Sequence, residues 1–283
     1  MDHISRVSSS LLGFCLICLM GGTFAAAPCT AEGMPKDFVY LRDVDPTILQ
    51  DMRYASSNNF VGKTVPGYEA PECVLVSQAA EALKAAQAEL KEKQLSLKVY
   101  DCYRPGRAVK AFVAWAKLPH DPKAKSTYYP GLPKSALFPD YIALVSGHSR
   151  GATVDLTVVP VNPPAELAAP PSGAATPCTG AEGERAPDTS IDMGTAFDCF
   201  DPKANTRVSN LTEEQRANRE MLLAAMSRHR FKNYPKEWWH FTLENEPFPD
   251  TVFDFPIEPR GASKKESNYR SSCRRKPVSR NRI

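Results

Sequence analysis

Two short stretches hold the side chains with most chemical potential. In Ser146-Gly147-His148-Ser149-Arg150-Gly151-Ala152-Thr153-Val154-Asp155, an imidazole sits on a Ser/Gly turn and a carboxylate lies inside the run that follows. That run reads as a strand, and strands alternate their faces, so Asp155 points away from the apolar side taken by Val154 and Leu156. In Glu237-Trp238-Trp239-His240-Phe241, a carboxylate and an imidazole stand among three bulky aromatics, where neither is cheaply buried unpaired. Two imidazoles and a carboxylate make a three-ligand metal site with one position open to water. Glu237 then stands where it can take that water's proton. A regular strand places Glu237 and His240 on opposite faces, so the constellation requires a bulge or a strand that begins between them. Each stretch alone also has a plainer reading, as a solvated loop histidine and as an aromatic core strand.

The elements that must carry these residues are short and mixed. Phe38 to Leu49 reads as a short strand and turn, followed by a polar loop from Tyr54 to Tyr68. Ser77 is a candidate cap for a helix to about Lys93, with Ala79, Leu83, Ala86 and Leu90 at helical spacing. Leu95 to Tyr100 alternates as a half-buried strand, and Pro105 opens a helix through Ala116. Tyr141–Val145 and Val154–Val159 read as two strands flanking the Ser/Gly turn. A helix from Thr212, capped with Gln215, runs to Arg228, and Glu237 to Leu243 reads as the last strand. The pattern predicts one α+β domain with a small, mostly antiparallel sheet flanked by helices.

Taken in order along the chain, the motifs resemble the D-alanyl-D-alanine dipeptidases, both the vancomycin-resistance type and its peptidoglycan-salvage relatives. The resemblance rests on Ser146-x-His148-Ser149-Arg150-Gly151-x-x-x-Asp155 and on Glu237-Trp238-Trp239-His240. It extends to Arg53-Tyr54-Ala55, Asn59-Phe60-x-Gly62-Lys63, Gly67-Tyr68-Glu69, Asp101-x-Tyr103-Arg104-Pro105, Met193-Gly194-Thr195-x-Phe197-Asp198 and Phe253-Asp254-Phe255-Pro256, covering nearly all of residues 40 to 257. It implies the zinc D-Ala-D-Ala peptidase (hedgehog-like) fold and hydrolysis of D-alanyl-D-alanine in peptidoglycan turnover or D-alanine salvage. It also implies one zinc ion per chain, on His148, Asp155 and His240, with Glu237 as catalytic base. Arg104 matches the arginine that steadies the oxyanion, Tyr54 and Asp198 match groups that hold the dipeptide's ammonium, and Ser146 lies where its carboxylate docks. Gly147 departs from the family, in which a serine often stands there. Two other readings stay open: a D,D-carboxypeptidase acting on longer stem peptides, and a non-catalytic zinc-containing binder of cell-wall fragments. Ser149-Arg150-Gly151 after the ligand histidine, where the carboxypeptidases tend to carry Gln-x-Gly, favours the dipeptidase.

The flanks differ from this body. Arg6, the apolar run Leu11 to Met20 and Ala25-Ala26-Ala27 read as a signal peptide over residues 1–27, too short for a span of about 20 residues. The expected location is therefore outside the cytoplasm, in a bacterial periplasm, with no stable membrane insertion. Residues 28–257 form the expected catalytic domain, interrupted by a Pro/Ala/Gly-rich insertion over 160–190. Six cysteines remain after the signal, and an oxidising compartment favours pairing. Cys73 with Cys102 and Cys178 with Cys199 are the favoured bridges, and Cys29 with Cys273 is the pair that then remains. The formal net charge is +3, yet residues 260–283 hold nine Lys/Arg against Glu266 alone, so the body is acidic. The 258–283 segment reads as a solvated basic tail and not as a nucleic-acid site. His120 and His229 are expected to face solvent. Oligomeric state is not legible.

Overall fold

A computed structural model describes residues 33–162, 176–186 and 188–261. In chain order the strands are β1 (Phe38–Tyr40), β2 (Leu49–Gln50), β3 (Val74–Val76), β4 (Leu95–Asp101), β5 (Thr153–Pro160), β6 (Phe231–Asn233) and β7 (His240–Leu243). The helices are α1 (Leu41–Val44), α2 (Ser77–Lys91), α3 (Gly106–Lys117), α4 (Pro122–Tyr128) and α5 (Glu213–Arg228). β1 pairs with β3 antiparallel; the other strands form one sheet in the order β2-β4-β5-β7-β6, parallel only at β2–β4. This is the expected α+β arrangement.

Helix α2 forms as its spacing predicts, with Ala79, Leu83, Ala86 and Leu90 fully buried. Its start differs: Val76 occupies the cap position, and the Ser77 hydroxyl turns instead to Gln78. Gln87 ties the helix to the sheet, its Oε1 accepting from Leu97 N–H at 2.7 Å and its Nε2 donating to Ser96 Oγ at 2.9 Å. Helix α3 begins one residue after Pro105, which is the cap. At α5 the capping box of Thr212 and Gln215 forms in both directions.

Three strand expectations are corrected. β4 is buried on both faces from Ser96 onward, not half-buried, because the chain around 188–197 covers the second face. There Tyr100 stacks on Phe197 with ring centroids 4.4 Å apart, and Lys98 is paired with Asp188. Tyr141–Val145 is a loop with Leu144 and Val145 exposed; β4 and β7 occupy both edges of β5 and leave no ladder for it to join. The last strand begins at His240, and Glu237 precedes it in a turn. The middle of the insertion, 163–175, and both Cys29 and Cys273 lie outside the described residues. Among those described, no helix is long and apolar enough to cross a membrane.

The segment 193–205 is clamped by one buried cation. The Arg219 side chain donates to the carbonyls of Met193 at 2.7 Å, Asn205 at 2.6 Å and Lys203 at 3.0 Å. Arg219→Ala strips all three acceptors of their donor. The expected cost is about 3 kcal/mol, a fall in Tm of roughly 10 °C, read by thermal unfolding. A fall below about 2 °C would show that water replaces the clamp.

Candidate metal centre

Strand register sets the level of the site. Asp101 of β4 pairs with Asp155 of β5, and Asp155 pairs with His240 of β7. Directly opposed residues project from the same face, so the three side chains form a row across the sheet. His148 joins them from a 3₁₀ turn, Gly147–Arg150, that leads into β5. The Ser146 hydroxyl opens that turn by accepting from His148 N–H at 3.3 Å. Gly151 closes it at φ 82, where a β-carbon would run into the Phe38 ring.

Nδ1 of His148 donates to the Cys102 carbonyl at 2.7 Å, which leaves Nε2 without a proton and turned toward Asp155 and His240. Nε2 lies 3.3 Å from Asp155 Oδ1 and 3.3 Å from His240 Nδ1, and the latter two atoms are 3.0 Å apart. Donors about 2.0–2.2 Å from a tetrahedral zinc lie roughly 3.3 Å from one another, so this triangle has the size of one face of such a site. The three residues form a group able to hold a metal ion. Asp155 Oδ1 is buried without a hydrogen-bond partner, a cost that a coordinated cation removes. Burial pushes His240 below its ordinary pKa and favours the neutral, ligating imidazole. Burial opposes ionisation of Asp155 too, but His148 and then His240 pull it well below the carboxylate range.

Glu237 reaches the same point from the turn before β7, its Oε2 3.4 Å from His240 Nδ1. The strand starting at His240 is what allows both side chains into one cleft. Asn233 pins the turn by donating to the carbonyls of Glu237 and His240, at 3.0 Å each. Burial first, then Asp155 and Asp198, push Glu237 well above the usual carboxylate range; Arg104 opposes them.

Arg104 is held by Asp101, whose Oδ2 accepts from Nε at 2.9 Å and from Nη2 at 2.8 Å. Its guanidinium lies over the rings of Tyr54 and Phe112, 5.2 and 5.0 Å from their centroids. Tyr54 donates to both oxygens of Asp198 at 3.0 Å. Burial raises the phenol well above its ordinary pKa and keeps it a donor. Asp198 sits at φ 58, a left-handed conformation that a non-glycine residue keeps only where its surroundings hold it. Burial and then Asp155 push its carboxyl up to about 8.

All eight residues singled out in the sequence therefore meet; all but His148 line one cleft of about 270 Å³, and His148 stands behind its Asp155 and His240 corner. That volume suits a small ligand. Sequence reading missed Asp101, the Cys102 carbonyl and Asn233. Asp101 was visible in the Asp101-x-Tyr103-Arg104-Pro105 motif, whereas a backbone carbonyl leaves no mark on residue type. Outside the cleft, His120 is exposed, but His229 is half-buried with Nε2 3.1 Å from Glu89 and does not simply face solvent.

The family described as D-ala-D-ala dipeptidase matches residues 34–163 and 182–258. The chain is similar to a D-alanyl-D-alanine dipeptidase of Streptomyces coelicolor, 36% identical over 225 residues, which span 79% of this chain and 100% of that protein. The corresponding protein of Enterococcus faecium is 32% identical over 78% of this chain and 98% of its own length. That of Escherichia coli is 25% identical over 73% of this chain and 84% of its own.

Chelator-treated protein should gain stability when zinc is added, by about 2.7 kcal/mol at a hundredfold excess over Kd. Asp155→Ala should remove the gain. Thermal scans with and without zinc read this, and equal gains in parent and variant would put the ion elsewhere.

Proposed function

The chain belongs to the D-ala-D-ala dipeptidase family, and from that premise we propose that it hydrolyses D-alanyl-D-alanine to two D-alanine, with one zinc ion on His148, Asp155 and His240. The observation that carries the reading is the triangle of ligand atoms with the Glu237 carboxylate 3.4 Å from its His240 corner. Zinc bound there supplies Lewis acidity, bringing the pKa of a water to about 7 and polarising the scissile carbonyl.

The remaining work falls to side chains. Glu237, with Oε2 3.4 Å from His240 Nδ1, takes the proton of the attacking water and returns it to the departing amine. Arg104, kept in place by Asp101, faces the negative charge that grows on the carbonyl oxygen. Asp198, with Tyr54 fixing its orientation, receives the dipeptide's free ammonium. The Ser146 oxygen accepts from His148 N–H, so its own proton is available to the substrate carboxylate. In a longer stem peptide the corresponding nitrogen is acylated and uncharged, which leaves Asp198 without its partner. That difference selects the free dipeptide.

The reading extends to place and purpose. The leader-like residues 1–27 and the two disulfides support export to a periplasm, where such an enzyme salvages D-alanine from wall turnover. Mature protein recovered from the cytoplasm of its host would contradict this.

Glu237→Gln keeps the shape and removes the shuttle. Its kcat for D-alanine release should fall by about a hundredfold or more with zinc still bound at one per chain. Undiminished turnover would overturn the assignment. In a parallel assay, the free dipeptide should be cut in preference to a pentapeptide ending in D-Ala-D-Ala. The reverse preference would make the protein a carboxypeptidase, and no release from either substrate would make it a binder of wall fragments.

A further inference from the structure

The two disulfides found among the described residues, Cys73–Cys102 and Cys178–Cys199, each abut one half of the cleft. Cys102 follows Asp101 directly, stands two residues before Arg104, and supplies the carbonyl that accepts from His148 Nδ1 at 2.7 Å. The β4–β5 ladder ends there, its last pair being Asp101 with Asp155 after an irregularity that skips Tyr100. Beyond it the backbone is held by single bonds, from Tyr103 N–H to Val74 O at 2.9 Å and from Arg104 N–H to His148 O at 3.3 Å. Cys73, at the other end of the bridge, is firmly seated. Its N–H donates to Gln50 Oε1 at 3.0 Å, and its carbonyl accepts from Leu41 N–H at 2.9 Å.

The second bridge has the same relation to the other half. Cys199 follows Asp198, the residue held at φ 58. Its partner Cys178 donates to Thr127 O and accepts from Ala196 N–H, each at 2.9 Å, so the bridge grips the backbone on both sides of Asp198. Neither half of the cleft lies within a ladder at these points.

We propose that both disulfides are positioning elements of the reaction and that they divide it. Cys73–Cys102 aligns the carbonyl that orients His148, together with Arg104. Cys178–Cys199 holds Asp198 where the substrate ammonium arrives. The inference rests on the functional reading given above. All four cysteines are buried, which makes the bridges fixed struts and not switches open to solvent thiols.

A bridge acting only on the unfolded chain gives a different signature. The two close loops of similar length, with separations of 29 and 21 residues. Their loss would then lower Tm comparably and leave the constants of the folded protein unchanged. The test uses the full chain with Cys73→Ala/Cys102→Ala, and separately Cys178→Ala/Cys199→Ala, at a temperature where circular dichroism shows both folded. For the first pair, zinc affinity in competition with a chromogenic chelator should fall about tenfold. Its kcat on D-Ala-D-Ala should fall with it, and KM should hold. For the second pair, KM should rise while kcat and zinc affinity hold. Parental constants at a lowered Tm, or the same change in both pairs, would overturn the proposal. Should the first pair not fold, Gln50→Ala loosens the seat of Cys73 with the bridge intact; an unchanged zinc affinity there would overturn it equally. A parent protein that neither binds zinc nor cleaves the dipeptide defeats the functional reading, and this inference with it, before any cysteine is changed.

Discussion

Asp155 stands on the central strand of the sheet at 2% exposure, with one carboxylate oxygen that no hydrogen bond satisfies. An ionised group so placed is expensive unless a cation joins it, and removing a partner from such a site costs more than the pair contributes. Two imidazoles flank that oxygen without being aligned to donate to it. A positive centre at this one point would remove that cost. Arg104 supplies part of the compensation, with Nη2 3.5 Å from Asp155 Oδ2, but it is already committed to Asp101.

From that centre the carboxylates of the cleft separate into roles by environment alone. Asp155, between His148 and His240, is driven toward ionisation, whereas Glu237 and Asp198, buried and beside other acids, are driven toward holding a proton. The same functional group thus stands in opposite protonation tendencies within one small space. Aromatic rings wall this space: Tyr54 and Phe112 under Arg104, and Phe197 against Trp239.

Much of this is legible in the amino-acid sequence. The types and order of His148, Asp155, Glu237 and His240 marked side chains that the fold brings together, and the helical stripe of α2 and the capping box of α5 marked their elements directly. What escaped belongs to tertiary context. Whether β4 has one covered face or two depends on a segment from 188 onward that comes to lie on it. Tyr141–Val145 has strand-like composition, but a strand exists only where an edge is free. The conflict between Glu237 and His240 on a single strand was visible, and the structure resolves it by starting β7 at the histidine. Asn233, which fixes the turn between them, acts through carbonyls that no residue pattern records.

The row of Asp101, Asp155 and His240 also ties chemistry to pairing. Side chains on a strand alternate with a period of two, so sliding β5 by a single residue past its neighbours would send Asp155 to the opposite face and bring Val154 or Leu156 in its place. A misaligned sheet could remain compact and well hydrogen-bonded, yet it would have no ligand triangle. A cation held at this centre would therefore favour one strand alignment over its neighbours, adding free energy to the pairing that keeps Asp155 between Asp101 and His240.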